Sequence, residues 1–312
     1  MNEIVFSLNN ISKIKLVSNE DFNNILDFGE IFSTIPMCEI VENDSTVDCI
    51  IEICFVKQRT VAFKYNKSYT KFKVQCEKSN YYSPDITFLM LCVFASKIQN
   101  KGYYLVHSSA MQINEKGVLF VGPSGSGKTN ISLMLAINEN GKYISGDMTL
   151  IRIDKKLNKV YLVGGTTELT AFETILNQLF EENKVKNLKV INNKKLLDSQ
   201  FLKNENIEFV KEECELKLIV NIRGGTKLYI KKNYDFAERL IKVEGMISEW
   251  IRCHSNFIIS TNSFFPDMDS KEGMNIRKKA LGLLSKIEQF SVYGPYEETA
   301  NKIAKELKTD EI

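Results

Sequence analysis

The sequence predicts an α/β fold with a β-rich N-terminal part, and two patterns in the chain lead to that prediction. Short β-rich runs separated by polar breaks fill the first eighty residues, whereas strands alternate with helical patterns from residue 103 onwards. We therefore expect a β-rich part over residues 1–100, which ends in a helix, and an α/β part over residues 101–312. No Pro-, Gly- or Ser-rich linker marks the boundary, so we expect a soft boundary.

The N-terminal strands are predicted from runs of β-branched and aromatic residues. The runs are residues 3–8, 13–17, 49–56, 60–65 and 70–76. The last three alternate apolar and polar side chains, which predicts an antiparallel meander with one buried face. A helix is expected next, because Ser83 can cap its start, Pro84 fits its first turn and Gly102 can end it.

The second part is expected to begin with two strands, then a glycine-rich loop and a helix from Lys128 to about Asn140. The strands expected in this part are residues 103–106, 118–121, 149–153, 159–163, 216–221, 226–230 and 289–292. Two hairpins are predicted among them, one joining 149–153 to 159–163 and one joining 216–221 to 226–230. The remaining helices are expected within residues 170–206 and over residues 236–250, 271–289 and 297–308.

Composition excludes two classes of function. The 312 residues include 41 Lys and Arg against 39 Asp and Glu, a net charge of +2, so the chain lacks the basic excess of a nucleic-acid binder. The longest apolar stretch, residues 88–95, is far shorter than the roughly 20 residues that cross a bilayer. The first residues also lack the pattern of a secretory signal. We therefore expect no nucleic-acid partner and no membrane partner.

The cysteines predict a cytoplasmic protein with reduced, mostly buried thiols. There are seven, an odd number, and no two have CxxC spacing. The only histidines are His107 and His254. Cys253 and His254 lack further ligands at metal-binding spacing, so no zinc site is expected.

Residues 122–129 (GPSGSGKT) match the complete GxxxxGK[ST] pattern of the Walker A phosphate loop. A buried strand (GVLFV) precedes the loop and a helix follows it, which is the context that this motif needs. Glycines let backbone N–H groups turn towards an anion, and the helix N-terminus adds partial positive charge. The residues predicted to bind ATP or GTP are Gly122, Pro123, Ser124, Gly125, Ser126, Gly127, Lys128 and Thr129.

Three residues carry the predicted chemistry of this loop. Lys128 is expected to reach the β- and γ-phosphates, and the Thr129 hydroxyl is expected to bind Mg²⁺. Asp147 follows the next short strand, so its carboxylate can return to the phosphates as a Mg²⁺ ligand or proton acceptor. An ordinary turn aspartate beside Gly146 is the alternative.

Several classes of phosphate-loop protein lack their own signatures here. The sequence contains no LSGGQ-like signature, which an ABC transporter subunit would have. It also contains no NKxD-like motif, which a GTPase would have. A helicase or AAA-type motor needs a strand that ends in Asp-Glu and arginine fingers. No such strand is found, and the chain has only six arginines.

The stretches 105–111 (LVHSSAM), 117–129 and 143–147 (YISGD) together resemble the HPr kinase/phosphorylase superfamily. The pattern looks like the HPr kinase-like proteins encoded with peptide natural products, such as the kinases that modify lasso-peptide precursors. The specific match covers about residues 103–151. The resemblance implies that residues 101–312 form a P-loop kinase core similar to HPr kinase and to the nucleotide-binding core of phosphoenolpyruvate carboxykinase.

Carried onto this sequence, the resemblance implies that His107 lies beside the phosphate site and that Asp147 is the general base. The first aspartate of the family's acidic pair is Gly146 here. One carboxylate would then serve both Mg²⁺ and the acceptor hydroxyl, unless Glu168 supplies the missing role. The late signature loop of true HPr kinases is not visible, so HPr is not expected as the substrate.

The roles of several other residues can each be interpreted in two ways. His107 has apolar neighbours, so it is either an active-site residue or a hydrogen-bonded core histidine. Arg223 is either a surface residue or a cation for transition-state charge. The basic run at residues 184–195 predicts a solvated helix face, with an acidic-peptide contact as the alternative. Trp250 is expected in the core.

These observations predict an ATP-dependent kinase that uses Mg²⁺ and transfers the γ-phosphate to a hydroxyl, such as Ser or Thr of a small peptide or protein. The candidate catalytic residues are Asp147, His107 and Lys128. One alternative is an ATP-binding accessory module without transfer. Another is a kinase or nucleotidyl transferase that acts on a small metabolite. The sequence does not determine which acceptor receives the phosphate, whether the nucleotide is ATP or GTP, or what the oligomeric state is.

Overall fold

The computed structural model describes residues 1–42, 46–57, 61–191, 193–232, 235–253 and 257–308. These residues form a mixed α/β chain with several sheets. The chain divides into two compact units, of which the first is Met1–Tyr104 with Ile247–Lys279 and the second is Leu105–Met246 with Ala280–Ile312. The division expected from the sequence assigned residues 247–279 to the second part, whereas the structure packs them with residues 1–104.

Strands and helices are numbered here in chain order. The strands are β1 (Asn2–Leu8), β2 (Ser12–Ser18), β3 (Cys38–Val41), β4 (Cys49–Phe55), β5 (Ala62–Tyr65), β6 (Lys71–Cys76), β7 (Tyr103–Ile113), β8 (Lys116–Val121), β9 (Lys142–Ser145), β10 (Met148–Asp154), β11 (Lys159–Gly165), β12 (Leu169–Ala171), β13 (Val190–Ile191), β14 (Lys194–Leu197), β15 (Cys214–Gly224), β16 (Tyr229–Lys231), β17 (Phe257–Ile258), β18 (Ser263–Phe264) and β19 (Glu288–Gly294). The α-helices are α1 (Phe28–Thr34), α2 (Pro84–Ile98), α3 (Lys128–Glu139), α4 (Glu173–Leu179), α5 (Glu182–Lys186), α6 (Ser199–Asn204), α7 (Phe236–Ser248), α8 (Lys271–Leu284) and α9 (Tyr296–Lys308).

The first unit contains a six-stranded sheet in the order β3-β1-β2-β4-β6-β5. The predicted antiparallel meander of the last three runs is wrong, because β4 pairs in parallel with both β2 and β6, and among those three strands only β5 and β6 are antiparallel. Alternating side chains determine which face of a strand is buried but say nothing about the direction of its neighbours. The short strands β3 and β5 lie at the sheet edges.

Helix α2 begins and ends close to the predicted positions. Gly102 takes the left-handed conformation, with φ of 82°, just after the short 3-10 turn Gln99–Lys101 that extends the helix. Ser83 does not cap the helix through its side chain, because its Oγ instead accepts a hydrogen bond from the N–H of Asp27. Asp85 is buried and accepts hydrogen bonds from the N–H groups of Ile259 and Ser260.

A buried ion pair anchors α8 in the first unit. The side chain of Arg277 is 2% exposed, and its Nη1 donates to Oδ1 of Asp269 at 2.9 Å and to Oε1 of Gln99 at 3.0 Å. Desolvation raises the pKa of Asp269, but the hydrogen bonds and charges of Arg277 and Arg252 outweigh it and hold that pKa below its usual range. Trp250, expected in the core, is partly buried and stacks on Phe88.

Asp269→Asn should destabilise the first unit, because it leaves the buried Arg277 guanidinium without its carboxylate. We expect a loss of about 3 kcal/mol in the free energy of unfolding at pH 7. A lowered pKa in the folded state stabilises the fold above the unfolded-state pKa and ceases to do so as the pH falls through the folded-state pKa. Denaturant unfolding should therefore show the two proteins converging in acid, whereas the control Glu272→Gln, at an exposed position in the first turn of α8, should stay within about 1 kcal/mol of the wild type at every pH.

The second unit contains an eight-stranded sheet in the order β11-β10-β7-β8-β15-β19-β16, with β9 paired to β7. Strands β8, β15 and β19 are parallel and lie side by side, while β7 runs antiparallel to β8 and β16 runs antiparallel to β19. The predicted hairpin of β10 and β11 is confirmed. The predicted hairpin of β15 and β16 is wrong, because β19 lies between them. A short glycine turn indicates a hairpin only when no later strand competes for the same edge.

One face of the central strands packs against α3 and α9. Leu218, Val220 and Ile222 of β15 belong to the same buried cluster as Ile131 and Leu135 of α3. The carboxyl ends of β8 and β19 lead directly towards the first residues of α3 and α9. Because the carboxyl ends of parallel strands meet at one edge of a sheet, both helix N-termini face that edge, which is the usual position of ligand sites in α/β proteins.

Between β11 and β15 the chain forms a small three-stranded sheet in the order β12-β14-β13, together with α4, α5 and α6. The sequence predicted helices and irregular loops for residues 170–206, so the helices are confirmed and the sheet was missed. The basic run at residues 184–195 is not a single helix face. It is divided among α5, β13 and β14, and Lys195 is buried while Lys189 is exposed.

All seven cysteines are free thiols, and only Cys38 and Cys54 are partly exposed. Helices formed by the described residues all fall short of the length and apolarity required to span a membrane.

Candidate functional site

The glycine-rich loop, residues 122–129, leaves the carboxyl end of β8 and enters α3. Gly125 and Gly127 have φ values of 78° and 99°, in the left-handed region that favours glycine. At Gly127 there is also no space for a side chain, because a Cβ would lie 2.2 Å from Cε1 of Tyr296. The loop conformation therefore depends on glycine at both positions, and a loop of this kind at a helix N-terminus attracts anions.

Lys128 is the first residue of α3 and is only 6% exposed. Its Nζ donates to the carbonyl oxygen of Gly122 at 2.8 Å and to that of Pro123 at 3.4 Å, and it lies 3.5 Å from Nε2 of His107. The ammonium is thus held inside the loop. Ser126 Oγ is also buried and has no hydrogen-bond partner among the described residues, which leaves a hydroxyl that a bound anion could use.

His107 and Asp147 meet beside this ammonium. His107 lies within β7, and Asp147 lies in the turn between β9 and β10. Nε2 of His107 is 3.3 Å from Oδ1 of Asp147, whose side chain is 67% exposed. The backbone of Asp147 is fixed on both sides, because its carbonyl accepts from Ser108 N at 2.8 Å and its N–H donates to Thr166 Oγ1 at 3.0 Å. The carboxylate therefore faces accessible space from a rigid turn.

The electrostatic surroundings of Asp147 favour its ionised form. Desolvation by the surrounding protein raises the pKa of this carboxyl, but the hydrogen bond and charge of His107 and the positive charges of Lys128 and Lys194 outweigh it. The pKa of Asp147 is therefore held below its usual range. At neutral pH Asp147 carries a negative charge, as a proton acceptor or metal ligand must.

Two buried serines of β7 connect the parts of this site. Ser109 Oγ contacts Ser132 Oγ of α3 at 2.9 Å and donates to the carbonyl of Gly146 at 3.2 Å. Ser108 Oγ donates to Thr149 Oγ1 at 2.8 Å. Both lie in the middle of a long strand and are fully buried. They hold α3 and the Asp147 turn in fixed positions on β7.

A cavity of about 70 Å³ opens over the loop and Asp147. The residues that line it are His107, Ser124, Gly125, Ser126, Gly127, Lys128, Thr129, Asn130, Asp147, Thr170, Ala171, Phe172, Lys194 and Tyr296. The structure therefore brings most of the predicted site residues to one cavity. Gly122 and Pro123 are not among its lining residues, although their carbonyl groups hold Lys128. Glu168 and Arg223 are exposed and do not line it either.

Six lining residues were not predicted as site residues from the sequence: Asn130, Thr170, Ala171, Phe172, Lys194 and Tyr296. Lys194 falls in the basic run that the sequence shows, but the run gives no sign of which lysine turns inward. Tyr296 follows Gly294-Pro295 at a predicted helix start, a position that could have marked it. No signal in the sequence identifies Phe172.

Gly146, where the family pattern has an aspartate, is closely packed. A Cβ at this position would lie 1.9 Å from Cδ2 of Leu169 and 2.9 Å from the carbonyl oxygen of Glu168. Leu169 is itself 1% exposed, so its side chain has little freedom to move. The backbone and a core leucine therefore occupy the space that a second acidic side chain would need.

Gly146→Ala should destabilise the second unit, because the added methyl group overlaps Leu169 and the Glu168 carbonyl. We expect a loss of about 2 kcal/mol in the free energy of unfolding, measured with denaturant. The matched control is Gly245→Ala in α7, where a Cβ would meet no atom within 4 Å. That variant should be as stable as the wild type or more so, because alanine favours a helix. Equal stability of Gly146→Ala and the wild type would contradict the close packing.

Thr129 and Asp147, the two predicted Mg²⁺ ligands, both line this cavity and both supply oxygen. Nowhere in the described parts of the chain do three or more His, Cys, Asp or Glu side chains form a metal-binding group. A site with only a few protein oxygen ligands fits Mg²⁺, because this ion is commonly held by one or two protein ligands together with substrate phosphates and water. His254, considered with Cys253 as a metal ligand, lies outside the described residues.

No family model matches this sequence, and no curated protein matches it. Among solved structures, the HPr(Ser) kinase/phosphatase from Coxiella burnetii is similar, with 11% sequence identity and a TM-score of 0.31. The match covers 65% of this chain and 93% of that chain. A likeness with so low a TM-score does not define the fold and gives no support to the narrower resemblance to lasso-peptide precursor kinases. The functional proposal therefore rests on the residues of the cavity.

Proposed function

We propose that this protein is an ATP-dependent kinase that transfers the γ-phosphate of ATP to a hydroxyl group. One observation carries the proposal. A single cavity contains both a lysine ammonium enclosed by a glycine-rich loop and an ionised carboxylate, with His107 within 3.5 Å of both. The loop can bind phosphate, and the carboxylate can accept the proton of an acceptor hydroxyl. Phosphoryl transfer needs mainly these two functions, because it depends on positioning and charge neutralisation.

The phosphate chain of ATP binds along the glycine-rich loop. Backbone N–H groups of the loop and the positive end of α3 attract the phosphate oxygens. Lys128, which hydrogen-bonds Gly122 and Pro123 in this structure, turns to the β- and γ-phosphates, as the motif predicts.

Asp147 acts on the acceptor hydroxyl. The oxygen of that hydroxyl attacks the γ-phosphorus, and its proton passes to an oxygen of Asp147. The bond between the γ-phosphorus and the bridging oxygen breaks, and ADP leaves with its electron pair. His107 orients the Asp147 carboxylate through the 3.3 Å contact.

Thr129 and Asp147 would hold Mg²⁺ in this proposal, since both line the cavity and both supply oxygen. The ion neutralises negative charge on the phosphate oxygens when it is bound. The acceptor that we propose is a Ser or Thr of a small peptide or protein. The exposure of the Asp147 side chain supports an acceptor of this size, because the carboxylate is reachable from outside.

An ATP-binding module without transfer is the second candidate. The packing at Gly146 favours it, because Leu169 excludes a second acidic side chain from that position and one carboxylate must then serve both Mg²⁺ and the acceptor. Nucleotide binding is common to both candidates, so only a transfer assay separates them.

Asp147→Asn should reduce phosphoryl transfer by at least about 100-fold, because the amide cannot accept the hydroxyl proton. The affinity for ADP in the absence of Mg²⁺ should change little, since the loop and Lys128 remain. Transfer of label from γ-labelled ATP and equilibrium binding of ADP measure the two effects. Glu168→Gln is the control, as this neighbouring acid is exposed and does not line the cavity. Loss of transfer in the control alone would assign the base to Glu168 instead.

Lys128→Met should weaken binding of ADP and ATP by more than roughly tenfold, because it removes a charged donor from the phosphate chain. Titration calorimetry with each nucleotide measures the change, and circular dichroism verifies that the fold is retained. Unaltered affinity for both nucleotides would remove the glycine-rich loop from the nucleotide site.

A further inference from the structure

The small sheet β12-β14-β13 supplies one wall of the cavity. In its register, Thr170 of β12 pairs with Leu196 of β14, and Ala171 pairs with Lys195. One further step along this register places Phe172 opposite Lys194. Thr170, Phe172 and Lys194 all line the cavity, so this cross-strand pair faces the same space as the glycine-rich loop.

The alternation of the strands explains why Lys194 points towards the cavity. Leu197 and Lys195 of β14 are buried, and successive side chains of a strand point to opposite faces. Lys194 therefore lies on the other face from Lys195. Its Nζ is 5.3 Å from the centroid of the Phe172 ring, a distance typical of a cation–π contact. This contact keeps the ammonium at the cavity wall.

Lys194 is the second ammonium group of the cavity. Among the described lining residues, the lysines are Lys128 and Lys194, and no arginine is present. Lys128 is held within the loop by Gly122 and Pro123, whereas Lys194 lies on the part of the cavity lining that the small sheet supplies. A transferred phosphoryl group needs positive charge around its oxygens, which one lysine on one side supplies only in part.

We propose that Lys194 contacts the γ-phosphate of ATP and thereby makes the site prefer ATP to ADP, an inference that rests on the proposed kinase function. The position of Asp147 identifies the γ-phosphate end of the cavity, because this carboxylate shares His107 with the Lys128 ammonium. Lys194 is assigned to the same end, since it lines the same cavity as Asp147 and His107.

Equilibrium binding of two nucleotides tests this assignment without knowledge of the acceptor. The probes are Mg²⁺-ADP and the Mg²⁺ complex of a non-hydrolysable β,γ-imido analogue of ATP, and the proteins are the full chain and its variants. Lys194→Met removes the charge but retains a long side chain that can still cover Phe172. Lys194→Arg keeps the charge. Lys189→Met is the matched control, because Lys189 is an exposed lysine just before β13 that does not line the cavity.

Lys194→Met should weaken binding of the ATP analogue by about tenfold or more, which is the effect of one lost charge-assisted hydrogen bond. The affinity for ADP should stay within about twofold of the wild type, because ADP lacks the phosphate that Lys194 contacts. Lys194→Arg should retain most of the preference for the analogue, and Lys189→Met should match the wild type. Melting temperatures of all variants verify that binding is compared between folded proteins.

The outcomes separate this inference from the proposed function. If the wild type binds ADP and Lys194→Met leaves the ratio of the two affinities unchanged, the γ-phosphate assignment is overturned while the nucleotide site stands. Equal weakening of both nucleotides also overturns it, because the contact would then be with a part that they share. Failure of the wild type to bind either nucleotide would overturn the proposed function and this assignment together.

Discussion

The hydrogen bond from Lys128 Nζ to the carbonyl oxygen of Gly122, at 2.8 Å, is the contact on which the candidate site depends. An ammonium that is only 6% exposed is costly unless polar groups surround it. The glycine-rich loop supplies them, because left-handed glycines at 125 and 127 let the backbone curl around the first residue of α3. A loop of this kind at a helix N-terminus can also bind an anion, and the bound anion would attract the Lys128 ammonium.

The rest of the second unit keeps that cation close to Asp147. The parallel strands β8, β15 and β19 bring the starts of α3 and α9 to one edge, where Tyr296 closes against Gly127. The buried Ser109 joins α3 to the Asp147 turn through Ser132 and the Gly146 carbonyl. Buried polar contacts of this kind are costly to leave unsatisfied, so they favour one arrangement of the elements. The distances among Lys128, His107 and Asp147 follow from that arrangement.

The parts of the site that local sequence determines were predicted, and those that depend on distant pairing were not. Residues 122–129 carry their own strand, loop and helix signals, so the loop and α3 followed directly. The insertion of β19 between β15 and β16 depends on residues far along the chain. Lys194 was recognised only as part of a basic run, because its direction is decided by pairing with β12. Likewise, the sequence showed the acid missing at Gly146 but not the leucine that fills its space.

The most direct test of the kinase account follows the γ-phosphate itself. The wild-type protein would be incubated with Mg²⁺, γ-labelled ATP and separate peptide and small-molecule fractions from an extract of its host cell. The account predicts that label enters an acceptor, best represented in the peptide fraction, with one ADP formed for each phosphate transferred. Formation of AMP and pyrophosphate would instead indicate a nucleotidyl transferase. Tight binding of ATP without transfer to any fraction would contradict the account and favour the accessory module.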